Sequence, residues 1–258
     1  MKKTKTLINL IKDKVDTLPP EQSFLSDLKA TVSACNPPRK RSAHVKPSSL
    51  NCLRLIYFDK IQAPIDAYIT EYSSQRICET GTNSHEAIQY YVTQMKVHGK
   101  DCTYIDVEQF VKERGLTYLE IKRKSGFETH LYDTRYDISF LCDGIILYKG
   151  NYYILEIKTE TDLKGMDREG ADPSHRRQSI CYSLSLGINK VMWLYEERNF
   201  CVPKTFLTTV TEQERVQLIM DLEFVEQCVK DLNPPPKCTS RKYCQYCNYK
   251  TICKQFRE

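Results

Sequence analysis

The chain has 258 residues, enough for one large domain or two small ones, and 41% of them are apolar, enough for a real core. Its 38 basic and 33 acidic residues leave a net charge of +5, a mildly basic balance that allows a nucleic-acid partner without demanding one. No run approaches the roughly 18 apolar residues of a membrane span. The apolar stretch Leu7 to Ile11 is short and is broken by Lys12, Asp13 and Lys14, so no secretory signal is expected. The expected setting is the cytosol, where the 12 cysteines are reduced thiols or metal ligands rather than a disulfide framework.

In chain order, residues 1 to 33 read as helical, with Leu7, Leu10, Ile11, Val15 and Leu18 at helical spacing. Pro19-Pro20 interrupts the pattern, and Glu21 to Ser33 resumes it. Residues 34 to 47 form a basic, proline-containing linker, a solvated loop before it is a phosphate contact. Ser48-Ser49 can cap a helix through Cys52 to Asp59. A second helix is expected over Ile65 to Arg76. A third, capped by Ser84 and running to about Val97, would put His85 in its first turn. Residues 101 to 113 read as a short helix and 116 to 124 as a strand with a basic end. Thr161 to Pro173 reads as a loop, and Ser174 to Leu186 as a helix ended by Gly187. Lys190 to Glu196 and Cys201 to Thr208 read as strands. Thr211 to Leu232 reads as a long helix opened by a Thr211/Glu214 capping box and stopped by Pro234-Pro235-Pro236.

The chemistry begins between Tyr136 and Thr159. Ile138 to Tyr148 and Tyr152 to Thr159 are rich in β-branched and aromatic residues, with the turn pair Gly150-Asn151 between them. A two-residue loop there pairs Lys149 with Tyr152, Leu147 with Ile154, Ile145 with Glu156 and Asp143 with Lys158. Paired residues share a face of the sheet, so Asp143, Glu156 and Lys158 point the same way, opposite Ile146, Leu155 and Ile157. Two acids and a lysine on an apolar hairpin are costly unless something compensates them, and a divalent metal would. A Glu-x-Lys strand is more often a surface ion pair worth little, so the rest of the chain must give it weight.

The tail supplies some of that weight. Cys238, Cys244, Cys247 and Cys253 fall within sixteen residues at spacings x5, x2 and x5. Such a set points to a thiolate-bound metal, either zinc or an iron–sulfur cluster. Around them Lys237, Arg241, Lys242, Lys250, Lys254 and Arg257 alternate with Tyr243, Tyr246 and Tyr249. That mixture suits single-stranded nucleic acid, through phosphate contact and stacking, and equally suits a solubilising surface on a metal knuckle.

Together these residues resemble the PD-(D/E)XK nuclease superfamily, in its iron–sulfur branch of CRISPR-associated four-cysteine nucleases and RecB- or AddB-type nuclease domains. The matching motifs follow the family order: Gly81-x3-His85-Glu86, Asp143-Gly-Ile, Glu156-Ile-Lys158-Thr159, Gln178-x3-Tyr182 and Cys244-x2-Cys247-x5-Cys253. The resemblance covers about residues 48 to 253. It implies a fourth cluster ligand in Ser48-Ser49-Leu50-Asn51-Cys52, with Leu53 where proline is usual, and so a 4Fe–4S cluster on Cys52, Cys244, Cys247 and Cys253. Cys238 offers a local fourth thiolate instead, which keeps zinc open; the surroundings of Cys35 match nothing.

The implied fold is α/β, a central mixed β-sheet flanked by helices as in restriction endonucleases, with a C-terminal cysteine-ligated metal lobe. Residues 1–47 would be a helical extension and linker, and 48–258 the nuclease domain. The implied activity is a divalent-metal-dependent DNA exonuclease acting on single strands or ends, in recombination, repair or CRISPR or phage DNA processing, with recombination or CRISPR-adaptation proteins as partners. The alternatives are a non-catalytic four-cysteine metal module that binds DNA or a partner, and an endonuclease working in a complex. Asp143, Glu156 and the Ile157 carbonyl are the expected ligands for Mn²⁺ or Mg²⁺, joined by His85. Lys158 is expected to orient or deprotonate water or to neutralise developing charge. The resemblance gives Gln178 and Tyr182 a part in positioning DNA, and the tail adds Tyr243 and Tyr246. Asp137 competes as a metal ligand but lies beyond the paired strand.

Overall fold

The computed structural model describes residues 19–37, 42–67, 70–166, 170–238, 241–245 and 247–256. The chain forms two compact units. The smaller lies within 1–40 and 67–80 and contains α1 (Pro20–Cys35). Proline suits the first turn of a helix, where its missing N–H is not needed. No residue of α1 is buried, and Phe24 and Leu25 are exposed. Leu7, Leu10, Ile11, Val15 and Leu18, and linker residues 38–41, lie outside the described residues.

The larger unit, 41–66 and 81–258, is a mixed α/β structure. A five-stranded sheet holds β1 (Cys102–Ile105), β5 (Gly144–Tyr148), β6 (Asn151–Glu160), β7 (Lys190–Glu197) and β8 (Pro203–Thr209), in that spatial order. Only β6 and β7 pair in parallel, which makes the sheet mixed. A second, antiparallel sheet holds β2 (Leu119–Ser125), β3 (Glu128–Asp133) and β4 (Ile138–Cys142).

Helices cover both faces of the central sheet. Alternation along β5 and β6 sends Ile145 and Ile154 to one side, where they join a core built with α2 (Leu53–Lys60), α5 (Arg176–Leu186) and α6 (Glu212–Lys230). Ile146, Leu155 and Ile157 go to the other side, where Ile88, Val92 and Met95 pack on them. Ile88 and Val92 belong to α3 (Tyr72–Gln94). With apolar residues on both faces, β5 and β6 read as near-continuous hydrophobic runs. Among the described residues no helix is long and apolar enough to cross a membrane.

Several local expectations hold. Gly187 closes α5 with φ of 69°, and Thr211 and Glu214 form a reciprocal capping box at the start of α6. Others need correction. Ser48-Ser49 belong to a 3₁₀ turn (Pro47–Asn51), and α2 begins only after Cys52. The helices expected at 65–76 and 84–97 are one helix, α3, so His85 lies in its interior. Residues 101–113 split into β1 and α4 (Val107–Glu113), the latter capped by the Asp106 carboxylate, which accepts from Gln109 N at 3.0 Å.

The expected strand 138–148 is broken at Asp143, because β4 pairs with β3 whereas β5 pairs with β1 and β6. The hairpin loop is Lys149-Gly150, both with positive φ (47° and 75°), which suits the tight turn that matches strand twist. The register is therefore two residues away from the expected one: Leu147 pairs with Tyr152 and Ile145 with Ile154. A shift of two keeps every side chain on its face.

Candidate metal centre

Asp143 occupies the seam where the chain leaves the three-stranded sheet and enters the five-stranded one. Its Oδ2 accepts a hydrogen bond from the Ile157 N–H at 2.7 Å, which aims the carboxylate across the hairpin. Its carbonyl accepts from Gln89 Nε2 at 2.7 Å and from the Tyr104 hydroxyl at 2.9 Å. Gly144 is required beside it: a Cβ there would lie 2.6 Å from the Tyr104 ring. Asp143 and Glu156 are 5% and 3% exposed, so both carboxylates are buried polar groups that need partners.

Glu156 has two. Lys158 Nζ donates to its Oε1 at 2.5 Å, and the Tyr182 hydroxyl donates to the same oxygen at 3.1 Å. Burial pushes the Glu156 carboxyl above its usual range despite the lysine, and the charge of Asp143 adds to the push. Burial works against the Lys158 ammonium, but Glu156 and Asp143 outweigh it and its pKa rises. The two shifts fit one ion pair of unequal depth, because the Glu156 side chain is 4% exposed and that of Lys158 is 24% exposed.

The third wall is α3. Gly81, His85 and Gln89 recur at helical spacing and therefore share a face. Gly81 allows close approach to β6, since a Cβ would lie 3.2 Å from Thr159 Oγ1. One turn on, His85 Nδ1 lies 3.6 Å from Asp143 Oδ1 and 3.9 Å from Glu128 Oε1. Burial disfavours the imidazolium, but the Asp143 carboxylate outweighs it, so the histidine pKa is raised. Burial, then the Asp143 charge, raises Glu128.

One ligand atom each from His85, Glu128 and Asp143 lie mutually within 4.8 Å, close enough to share a divalent cation. Three carboxyl groups and an imidazole meet here beside one ammonium, and a cation would compensate the charge of the buried acids. Imidazole with carboxylates suits Mn²⁺ better than carboxylates alone would. Asp137, the competing acid, is elsewhere: Lys60 donates to it at 2.7 Å and the Tyr132 hydroxyl at 3.0 Å, and it contacts His44.

Most of the expected site residues converge here: His85, Asp143, Glu156, Ile157 and Lys158, with Tyr182 behind Glu156. Tyr182 is 6% exposed, so its visible partner is a carboxylate rather than a surface groove. Gln178 lies one turn earlier on α5 and is also buried. Sequence reasoning misses Glu128. It opens β3 and enters by the pairing of that sheet, and no spacing to Asp143 announces it.

A second cluster lies at the other end of the sequence. Cys52, Cys238, Cys244, Cys247 and Cys253 line one cavity together with Arg54, Phe58 and Tyr243. The tail is tied to α2 by Tyr249, 1% exposed, whose hydroxyl donates to Asp59 at 2.8 Å and whose ring lies 5.2 Å from that of Phe58. Tyr249 N also donates to Cys247 Sγ at 3.4 Å. Burial pushes the Cys52 thiol up to about 11, although the backbone N–H groups of Leu55 and Cys238 ease its ionisation. Arg54, 4% exposed, donates to the Pro235 carbonyl at 2.6 Å and to Cys253 Sγ at 3.8 Å. A buried guanidinium turned toward sulfur suits a pocket that holds thiolates. Cys35 is exposed in the smaller unit, and Tyr246 lies outside the described residues.

No family model matches the sequence, and no curated protein matches it. Among solved structures, the crystal structure of SSO0001 superposes with a TM-score of 0.45 at 14% identity, covering 91% of this chain and 96% of that one. LHK-Exo in complex with dAMP gives 0.42 at 11% identity, covering 74% and 91%. The alkaline exonuclease LHK-Exo from Laribacter hongkongensis gives 0.42 at 10% identity, covering 74% and 90%.

Proposed function

We propose that the protein is a divalent-metal-dependent deoxyribonuclease that shortens DNA from its ends, acting mainly on single strands. The observation that carries this reading is the convergence of Asp143, Glu156 and Lys158 on one sheet face, with His85 and Glu128 closing the same site. When bound there, Mn²⁺ or Mg²⁺ supplies an activated water and offsets charge on the phosphate and the leaving oxygen. Asp143, Glu156, His85 and the Ile157 carbonyl are the ligands in this scheme, and Glu128 adds a further carboxylate. Lys158, paired with Glu156, orients or deprotonates the attacking water or neutralises the developing negative charge. Tyr182 fixes the rotamer of Glu156. Gln178, on the same helix, contributes to DNA positioning, as the family resemblance implies.

The same reading assigns a 4Fe–4S cluster to Cys52, Cys244, Cys247 and Cys253, joining α2 to the tail. The donor set fits a thiolate-bound metal: the sulfurs share one cavity, and a buried cationic side chain faces them. The resemblance to the CRISPR-associated and recombination nucleases puts the substrate in DNA processing, recombination or repair, with partner proteins of those systems.

The test is digestion of end-labelled single-stranded and duplex DNA with Mn²⁺ or Mg²⁺, using anaerobically purified wild type beside Glu156→Ala. Progressive metal-dependent shortening by wild type alone, with DNA binding kept in Glu156→Ala, is expected. No cleavage by wild type that carries its metal would favour a non-hydrolytic four-cysteine metal module.

A further inference from the structure

A cluster of four irons takes four thiolates, and this cavity is lined by five. The fifth, Cys238, sits beside one ligand in particular. Its backbone N–H faces the Cys52 sulfur, and its own Sγ is 3.5 Å from the carbonyl of Asn51, the residue before Cys52. The two sulfurs have opposite roles. Cys52 stands at the start of α2, where its sulfur accepts from the backbone N–H groups of Leu55 and Cys238. The Cys238 sulfhydryl donates to the Asn51 carbonyl. An S–H···O contact is weak and readily given up. A change of χ1 between staggered wells then moves the sulfur without moving the backbone. The backbone beside it is already held at the cavity, because Arg54 donates to the Pro235 carbonyl at 2.6 Å.

We infer that Cys238 is a reserve ligand for the metal cluster, resting on the Asn51 carbonyl beside Cys52 and able to replace it. The inference rests on the cluster assignment under Proposed function. Four tail residues, Cys238, Cys244, Cys247 and Cys253, would then carry the metal when Cys52 is lost, so metal retention and the tie to α2 become separable properties.

The test compares full-length wild type with Cys52→Ala, Cys238→Ala, Cys52→Ala/Cys238→Ala and Cys247→Ala, all purified anaerobically. Iron and acid-labile sulfide are measured, with the electron paramagnetic resonance spectrum of the reduced protein. Wild type, Cys52→Ala and Cys238→Ala should hold comparable iron, with a changed spectrum only in Cys52→Ala. The double variant and Cys247→Ala should lose iron by roughly tenfold or more. A second measurement needs no comparison of yields: alkylation of native protein followed by peptide mass spectrometry. Cys238 should be modified in wild type and protected in Cys52→Ala. Cys52→Ala as empty of iron as the double variant, or Cys238 alkylated equally in both, overturns the inference. Loss of iron from Cys238→Ala alone overturns it by making Cys238 an obligatory ligand. Wild type free of iron overturns the cluster assignment beneath it, a result distinct from the others.

Discussion

Tyr182→Phe removes one oxygen and leaves the ring in place against Phe140, whose centroid is 5.5 Å away. The oxygen lost donates to Glu156 Oε1 at 3.1 Å, between residues only 6% and 3% exposed, so water cannot replace it well. A hydrogen bond to a charged acceptor contributes about 1.5–3 kcal/mol. In the metal-free protein the loss falls toward the lower end, because burial already draws Glu156 to its protonated form. With metal bound, Glu156 must be ionised and the loss is felt more fully. Since about 1.4 kcal/mol is tenfold in an equilibrium constant, half-saturating Mn²⁺ for cleavage should rise tenfold or more. The assay is single-turnover cleavage of a labelled single strand against Mn²⁺ concentration, with DNA affinity measured separately in Ca²⁺ by fluorescence anisotropy. DNA affinity should not change. Weaker DNA binding with an unaltered Mn²⁺ requirement would refute the reasoning and make Tyr182 a DNA contact.

Gly144→Ala should displace Tyr104, cost about 1–3 kcal/mol by overpacking and weaken Mn²⁺ binding, read by thermal unfolding with and without Mn²⁺; an unchanged Tm would show the ring moves freely. Glu128→Gln should raise the Tm of the metal-free protein, by removing repulsion with Asp143, while lowering Mn²⁺ affinity in calorimetry. A lower Tm without metal would contradict it. Asp137 is pushed up by burial but more strongly held down by Lys60 and His44, so its pKa is lowered. Its contribution is present above the unfolded value near 4 and fades as pH falls through the lower folded value. Asp137→Asn, which tolerates the φ of 55°, should cost about 1–3 kcal/mol at neutral pH and flatten the acid limb of denaturant stability. An acid limb identical to wild type would sink that assignment. Thr211→Ala should cost about 1 kcal/mol in urea unfolding by breaking the capping box, and a cost near zero would mean the cap is redundant.

The common face of Asp143, Glu156 and Lys158 is legible in the sequence because strand alternation has a period of two. The register expected from the turn pair is off by two residues, since Lys149 rather than Asn151 takes the left-handed conformation, and that error leaves the faces intact. The helical wall is harder to read. Gly81 suggests a break, but here it is kept for close contact with Thr159, so a residue expected at a helix start, His85, lies in mid-helix. Glu128 is not legible, because its nearness to Asp143 depends on how two separate sheets meet. The proximity of Cys52 to the tail comes from the family resemblance alone. The paired burial of Phe58 and Tyr249 that produces it is tertiary and leaves no local pattern.

Tyr249 also bears on when the fold can be completed. It plugs the core beside α2, yet it is synthesised after every strand of the sheet. A nascent chain can pair its strands and close α5 and α6 over them while α2 still lacks its aromatic plug and Asp59 its phenolic partner. The ribosome thus releases this packing element well after the acidic residues have come together. Maturation of the thiol pocket is by its position a late event, and a prematurely terminated chain would carry the acidic residues without the seal.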